Sequence, residues 1–372
     1  MKVPFFDFKQ APESLRSEWR NAIEKVIASG RYIGGEEVTK FENDWAGYLG
    51  LEHAVGVANG LDAIILGLRA LDIGPGSRVA VPSHTFIATW LAVEAVGATP
   101  VGIDCDDLGL MNLSVLESLD EKIDAVIPVH MHGQMVNMLR LSDWANPKGI
   151  KIIEDCAQAH GANIHGRFAG TWGDIGAFSF YPTKNLGALG DSGIVVTSNE
   201  DLARKVRSLG NYGSTPTNKY LYDRPGINSR LDPIQAAALG VNLKYLDDWN
   251  LNRRRIATRY IETLVQANVK MLVTDPELSV WHHFIVLPEN RDNARTDLEE
   301  MGIITEIHYP ECAEDSYAGI SSYSSSEPYS ARLLAAKTLS LPLSPWMNNE
   351  QIDYVLECVT SPKILRNFQG EI

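Results

Sequence analysis

The stretch Lys151-Ile152-Ile153-Glu154-Asp155-Cys156-Ala157-Gln158-Ala159-His160-Gly161 reads as a short apolar strand that ends on two carboxylates and leaves through small and polar residues. Similar β-branched runs recur before and after it, at 54–58, 78–81, 99–103, 125–129 and 193–196. Longer patterns with helical spacing, at 61–71, 85–96 and 113–119, separate the earlier runs. Alternation of strand and helix demands a mostly parallel sheet with both faces covered. The fold class is therefore α/β. Upstream, Leu15, Trp19, Ala22, Ile23, Val26 and Ile27 recur at three- and four-residue spacing over 14–29, an amphipathic helix ended by Gly30.

At 372 residues the chain exceeds one ordinary domain. A helix-rich stretch from Pro233 to about Ala267 places the boundary near Asn250. The expected division is a large domain, 1–250, carrying the central sheet and the N-terminal segment, and a smaller C-terminal α+β domain, 251–372. The piece from Ser321 to Ser330, rich in Ser and Tyr, reads as a loop.

Hydrophobic residues at 45% and charged residues at 22% suit a globular enzyme. The net charge of −14 disfavours a broad nucleic-acid or anionic-membrane surface. It does not disfavour a local phosphate pocket, because screening confines the field to roughly 8–10 Å. The four cysteines, at 105, 156, 312 and 358, lack metal-ligand spacing, and no metal is expected. Asp7 interrupts the start of the chain, so a secretory leader is not expected, and no apolar run reaches the roughly 20 residues of a membrane span. These features point to the cytoplasm.

In an α/β sheet, ligands sit beyond the carboxyl ends of the strands. Asn59-Gly60-Leu61-Asp62 follows one strand and opens a helix, where free N–H groups can hold a phosphate; a plain turn and helix start is the alternative. Pro82-Ser83-His84-Thr85-Phe86 offers two flat rings, for the core or for a heteroaromatic ligand. Asp155 needs a partner because an isolated buried charge is costly. That partner is an ordinary cation or helix end, or else a cationic ring nitrogen that acts as an electron sink. Lys184 lies among small, aromatic and proline residues in Ser179-Phe180-Tyr181-Pro182-Thr183-Lys184-Asn185, an odd place for a surface lysine. Desolvation would make it a nucleophile.

These motifs, with Gly226-Ile227-Asn228-Ser229-Arg230-Leu231-Asp232, resemble the fold-type I sugar aminotransferases of the DegT/DnrJ/EryC1/StrS group. The resemblance runs from Val3 through Arg254. It implies pyridoxal 5'-phosphate (PLP) as cofactor, with Lys184 as the Schiff-base lysine and general base and Asp155 on the pyridinium nitrogen. Phe86 matches the ring that stacks on the cofactor, ahead of His84. Gly60, Leu61 and Ser179 match phosphate contacts, and Gln158 matches a polar residue beside the ring. Asn228 matches a residue donated across a homodimer interface.

The resemblance also implies amino transfer from glutamate to a keto carbon of a nucleotide-linked hexose. Gly60-Leu61-Asp62-Ala63 and the run 181–191 look most like the branch acting on dTDP-linked 3-keto-6-deoxyhexoses; members acting at C4 more often carry Thr or Ser after the glycine. Candidate sugar contacts are His308, Tyr309 and Tyr212, with Arg230 and Lys219 for acidic groups, although Arg230 could simply pair with Asp232. After Tyr309-Pro310 the chain departs from the family, with Glu311-Cys312-Ala313-Glu314-Asp315 where a His/Gln/Pro-containing segment is common. Competing readings are transamination of a 4-keto sugar or of scyllo-inosose, and a non-catalytic protein that binds a sugar nucleotide. A sugar dehydratase is disfavoured because Lys184 is not histidine. A dinucleotide-binding dehydrogenase is disfavoured because no G-x-G-x-x-G follows the first strand.

Overall fold

The computed structural model describes residues 1–372 except 216–217, 219, 273–274, 317–322, 325–326 and 369–372. Its strands are β1 (His53–Val57), β2 (Arg78–Pro82), β3 (Thr99–Ile103), β4 (Ala125–Val126), β5 (Lys151–Asp155), β6 (Asn163–Ile164), β7 (Arg167–Phe168), β8 (Ile175–Ser179), β9 (Gly193–Thr197), β10 (Phe284–Val286), β11 (Tyr323–Ser324) and β12 (Leu339–Leu341). Eight of them form one sheet in the order β1-β9-β8-β5-β4-β2-β3-β11. From β8 to β11 every neighbour is parallel, while β9 runs antiparallel to both β1 and β8.

The alternation of side chains along each strand divides the core into two layers. Ala80, Val126, Ile152 and Val196 join one cluster with Phe41, Trp45 and Leu239. Their neighbours Val79, Ala125, Ile153 and Val195 join the other, with Leu66, Trp90 and Val206. Helices α1 (Glu13–Ser29), α2 (Glu36–Leu49), α3 (Gly60–Ala70), α4 (Ala88–Ala95), α5 (Leu113–Glu117), α6 (Met138–Ala145), α7 (Glu200–Leu209), α8 (Pro233–Asn242) and α9 (Leu246–Gln266) follow in chain order. Gly30 ends α1 in the left-handed conformation, as expected of a C-terminal cap glycine.

The strand expected over 125–129 keeps ladder pairing only at Ala125–Val126, with Val129 forming one bridge to Asp155. Pro128 has no N–H to continue the ladder. Strand β8 escapes sequence reading because Ile175-Gly176-Ala177-Phe178-Ser179 lacks a β-branched run. Its glycine answers a tertiary demand: a Cβ at Gly176 would lie 2.6 Å from the Gly170 carbonyl oxygen. Within the expected loop at 321–330, two described pieces have regular structure. Tyr323–Ser324 pairs in parallel with β3, and Tyr329 starts a helix, Tyr329–Lys337. The Asp104 carboxylate caps that helix by accepting from Ser330 N and Ala331 N, a contact across more than 220 residues that local sequence cannot reveal.

Position 250 lies inside α9, which runs unbroken from Leu246 to Gln266. A separate cluster gathers Ile256, Tyr260, Trp281, Phe284, Leu339, Val355 and Ile364. Val3 joins this cluster and bridges to Ile303, so the first residues of the chain dock on its C-terminal part. Among the described residues no helix is long and apolar enough to cross a membrane.

Candidate active site

Strands β5 and β8 are parallel neighbours, so the residues that end them meet at one edge of the sheet. Asp155 is buried. Its Oδ1 accepts from Ala157 N at 3.1 Å and its Oδ2 from Thr89 Oγ1 at 2.9 Å. Thr85 Oγ1 lies 3.3 Å from Thr89 Oγ1. Both donors to Asp155 are neutral, and among the described residues no cation is bonded to it. Burial pushes its pKa up, while the two hydrogen bonds and the Lys184 charge pull the other way.

The preceding carboxylate has a different task. Glu154 is fully buried and accepts from Gly170 N, Trp172 N and Gly173 N at 2.9, 2.6 and 2.8 Å. His130 Nε2 lies 3.0 Å from it. Val136 N donates to His130 Nδ1, so the ring proton is on Nε2 and points at the carboxylate. Glu154 thus pins the loop beneath β5 and leaves Asp155 alone to face the site. Cys156 is close to both His130 and Glu154, but four donors already occupy the carboxylate.

Lys184 follows β8 in a turn closed by Lys184 N donating to Tyr181 O at 2.8 Å. Desolvation lowers its pKa to about 8, against the opposing pull of Asp155. The imidazoles of His160, His282, His283 and His308 lie close enough to feel its charge, and burial holds all four neutral. His283 stacks on His308 with ring centroids 3.7 Å apart, and its Nδ1 is 3.3 Å from His132 Nδ1.

Gly60 opens α3 against the end of β8. A Cβ there would lie 2.6 Å from Ser179 Cβ, so only glycine permits this approach. Asn59 Oδ1 caps Asp62 N at 2.8 Å. The N–H groups of Gly60 and Leu61 remain without a hydrogen bond among the described residues, next to the Ser179 hydroxyl. That is the donor set a phosphate needs at a helix N-terminus.

Of the two rings after β2, Phe86 is 53% exposed and His84 only 1%. Phe86 approaches Tyr309 at 5.4 Å between centroids. Gln158 links the two sides of the opening: its Oε1 accepts from His132 N at 2.6 Å, and its Nε2 donates to Tyr309 OH at 3.1 Å. His308 Nδ1 lies 2.8 Å from Ser340 Oγ. Asp155, Lys184, Gly60, Leu61, Ser179, Phe86, Gln158, His308 and Tyr309 are thereby gathered at one end of the sheet.

Three expected residues lie elsewhere. Arg230 bonds to Asn211 Oδ1 at 2.9 Å and lies over the Tyr212 ring, not with Asp232. It lines a cleft of about 660 Å3 with Glu42, Arg204 and Arg207. Tyr212 is 50% exposed and Asn228 is also exposed. Lys219 lies outside the described residues.

The DegT/DnrJ/EryC1/StrS aminotransferase family model matches residues 13–360. The chain belongs to that family. It is a sugar aminotransferase and, like the family, PLP-dependent. It is 44% identical over 364 residues to dTDP-3-amino-3,4,6-trideoxy-alpha-D-glucose transaminase of Streptomyces venezuelae, covering 96% of this chain and 95% of the relative. It is 42% identical over 360 residues to dTDP-3-amino-3,6-dideoxy-alpha-D-galactopyranose transaminase of Aneurinibacillus thermoaerophilus, covering 96% and 98%. Among solved structures, S. venezuelae DesV in complex with a ketimine intermediate superposes with a TM-score of 0.92 at 43% identity, covering 96% of this chain and 98% of that one.

Sequence reasoning missed Thr89, Asn185, His132 and His283 in this family site. His132 had a signal, since His130-Met131-His132-Gly133 follows β4 at the carboxyl edge. The others had none, because each acts through a partner 60 or more residues away.

Proposed function

We propose that this aminotransferase moves the amino group of glutamate to C3 of a dTDP-linked 3-keto-6-deoxyhexose. The observation that carries the chemistry is the Asp155 carboxylate, buried with only neutral donors and no bonded cation among the described residues, near a lysine pressed toward neutrality. PLP bound there would supply an electron sink, its protonated pyridine ring. Asp155 holds the ring nitrogen's proton. Lys184 Nζ would hold the cofactor and move the Cα proton of the donor. The N–H groups of Gly60 and Leu61 and the Ser179 hydroxyl would hold the phosphate, Phe86 would pack against the ring, and Gln158 steadies Tyr309.

For the substrate, the reading rests on the two transaminases named above, both of which make 3-amino sugars on dTDP. In this reading His308 and Tyr309, beside Gln158 and Ser340, meet the sugar. Exposed Asn228, with the exposed apolar side chains of Tyr32, Ile33, Tyr212, Tyr220, Leu221 and Tyr222, favours a homodimer in which Asn228, Tyr212 and Arg230 serve the second copy's site. The four buried free thiols suit a cytoplasmic setting. We also read 1–250 and 251–372 as two lobes with the site between them.

The test is to incubate the PLP-loaded protein with glutamate and, separately, 3-keto and 4-keto dTDP-6-deoxyhexoses and scyllo-inosose. An amino product from the 3-keto sugar alone is expected. Product only from a 4-keto sugar or from scyllo-inosose overturns the substrate reading.

A further inference from the structure

Asn185 sits directly after Lys184 and is buried, and its side chain uses every polar atom to reach another segment. Its Nδ2 donates to Asn250 Oδ1 and to the Val280 carbonyl, both at 2.8 Å. Its Oδ1 faces His282 Nδ1 at 3.0 Å. Asn250, on α9, passes the link on by donating from Nδ2 to the His160 carbonyl at 2.9 Å. Gly161 keeps that path open, since a Cβ there would lie 2.8 Å from Asn250 Nδ2.

The network also decides a proton. Val280 O can only accept, so Asn185 must turn its NH2 toward Val280 and Asn250 and its oxygen toward His282. An amide oxygen cannot donate, so His282 carries its proton on Nδ1 and presents Nε2 as a lone pair. Nε2 makes no hydrogen bond among the described residues. The neighbouring Arg253 fixes the backbone of the same loop by donating to the carbonyls of Trp281 and Leu343 at 3.3 and 2.9 Å.

We propose that Asn185 is a positioning residue: it ties the Lys184 peptide to α9 and to the 280–282 loop, and holds His282 as the Nδ1–H tautomer beside the lysine. The proposal rests on Lys184 being the lysine that carries the cofactor. Two changes separate its halves. Asn185→Ala removes every spoke. Asn185→Asp keeps an acceptor for His282 but loses both donors.

Imidazole 15N NMR of the cofactor-free protein reads the tautomer directly. The wild type is expected to show His282 as Nδ1–H, Asn185→Asp to keep it, and Asn185→Ala to show a mixture. In the loaded protein, both variants are expected to release PLP at least tenfold faster and to lower kcat about tenfold, with KM for glutamate changed by less than about twofold. Asn250→Ala, which removes one spoke, is expected to show the same pattern more weakly and serves if Asn185→Ala does not fold. A lowered Tm with unchanged tautomer, PLP release and kcat would make Asn185 merely structural and overturn the proposal. If the wild type develops no visible cofactor band with PLP, the Lys184 reading falls, while the tautomer measurement still decides the role of Asn185 toward His282.

Discussion

The carboxyl edge of β5 and β8 and the loop from Asn211 to Arg230 are both rich in expected functional residues, yet they are built in opposite ways. At the strand edge, Asp155, Gln158 and Asn185 are buried and bonded within the chain. On the loop, Tyr212, Tyr220, Leu221, Tyr222 and Asn228 are exposed. One region is held by bonds within a single chain. The other exposes apolar and polar groups together, the kind of surface that the proposed homodimer would cover.

The sharpest break is at the strand edge. Lys184→Ala should lower turnover by about 10^4-fold or more, the scale of removing a covalent nucleophile, with the circular dichroism spectrum unchanged. Asp155→Asn keeps the shape but cannot hold a charged ring nitrogen, and steady-state kinetics should show a loss on the order of 10^2- to 10^4-fold. Asn228→Ala should cost less, about tenfold in the PLP concentration needed for half-saturation, equivalent to roughly 1.4 kcal/mol. Mixing Asn228→Ala with Lys184→Ala should restore part of the lost activity through mixed dimers with one intact site. If mixing restores nothing, the loop does not serve the second copy.

A pH effect follows from Lys184. Burial disfavours its ammonium form, so its pKa falls from the ordinary lysine range to about 8. In the proposed role of Lys184 the neutral amine is the reactive form, so stopped-flow loading of the cofactor-free protein with PLP should speed up as pH rises through about 8 and level off above it. A midpoint near 10 would mean the lysine is solvated. The smallest effect is expected from Tyr309→Phe, which removes one hydrogen bond to Gln158. A loss of about 0.5–1.5 kcal/mol should appear chiefly in KM for the sugar.

Much of the strand edge was legible because its signals are local. Asp155 ends an apolar run, Gly60 opens a helix after a strand, and Lys184 sits where no solvated lysine belongs. Strand β8 was not legible, because its small residues serve the close passage of Gly170. The strand Tyr323–Ser324 and the helix from Tyr329 were equally hidden, since the helix cap comes from Asp104 and the strand partner is β3. The packing of Phe86 and His84 was hidden too: two flat rings two residues apart carry the same local message, and only the tertiary structure buries His84 and exposes Phe86.

The sequence by itself determined the α/β class, the order of the motifs and the identity of the cofactor lysine and its carboxylate partner as candidates, because strand periodicity and residue chemistry are written within a few neighbours. Only the tertiary structure decided which groups orient them. Thr89 on Asp155, Asn185 on His282, Gln158 on Tyr309 and Glu154 on the loop at 170–173 are hydrogen bonds between segments far apart in the chain. A buried polar group must find such a partner, but nothing in its own neighbourhood says where the fold will bring one.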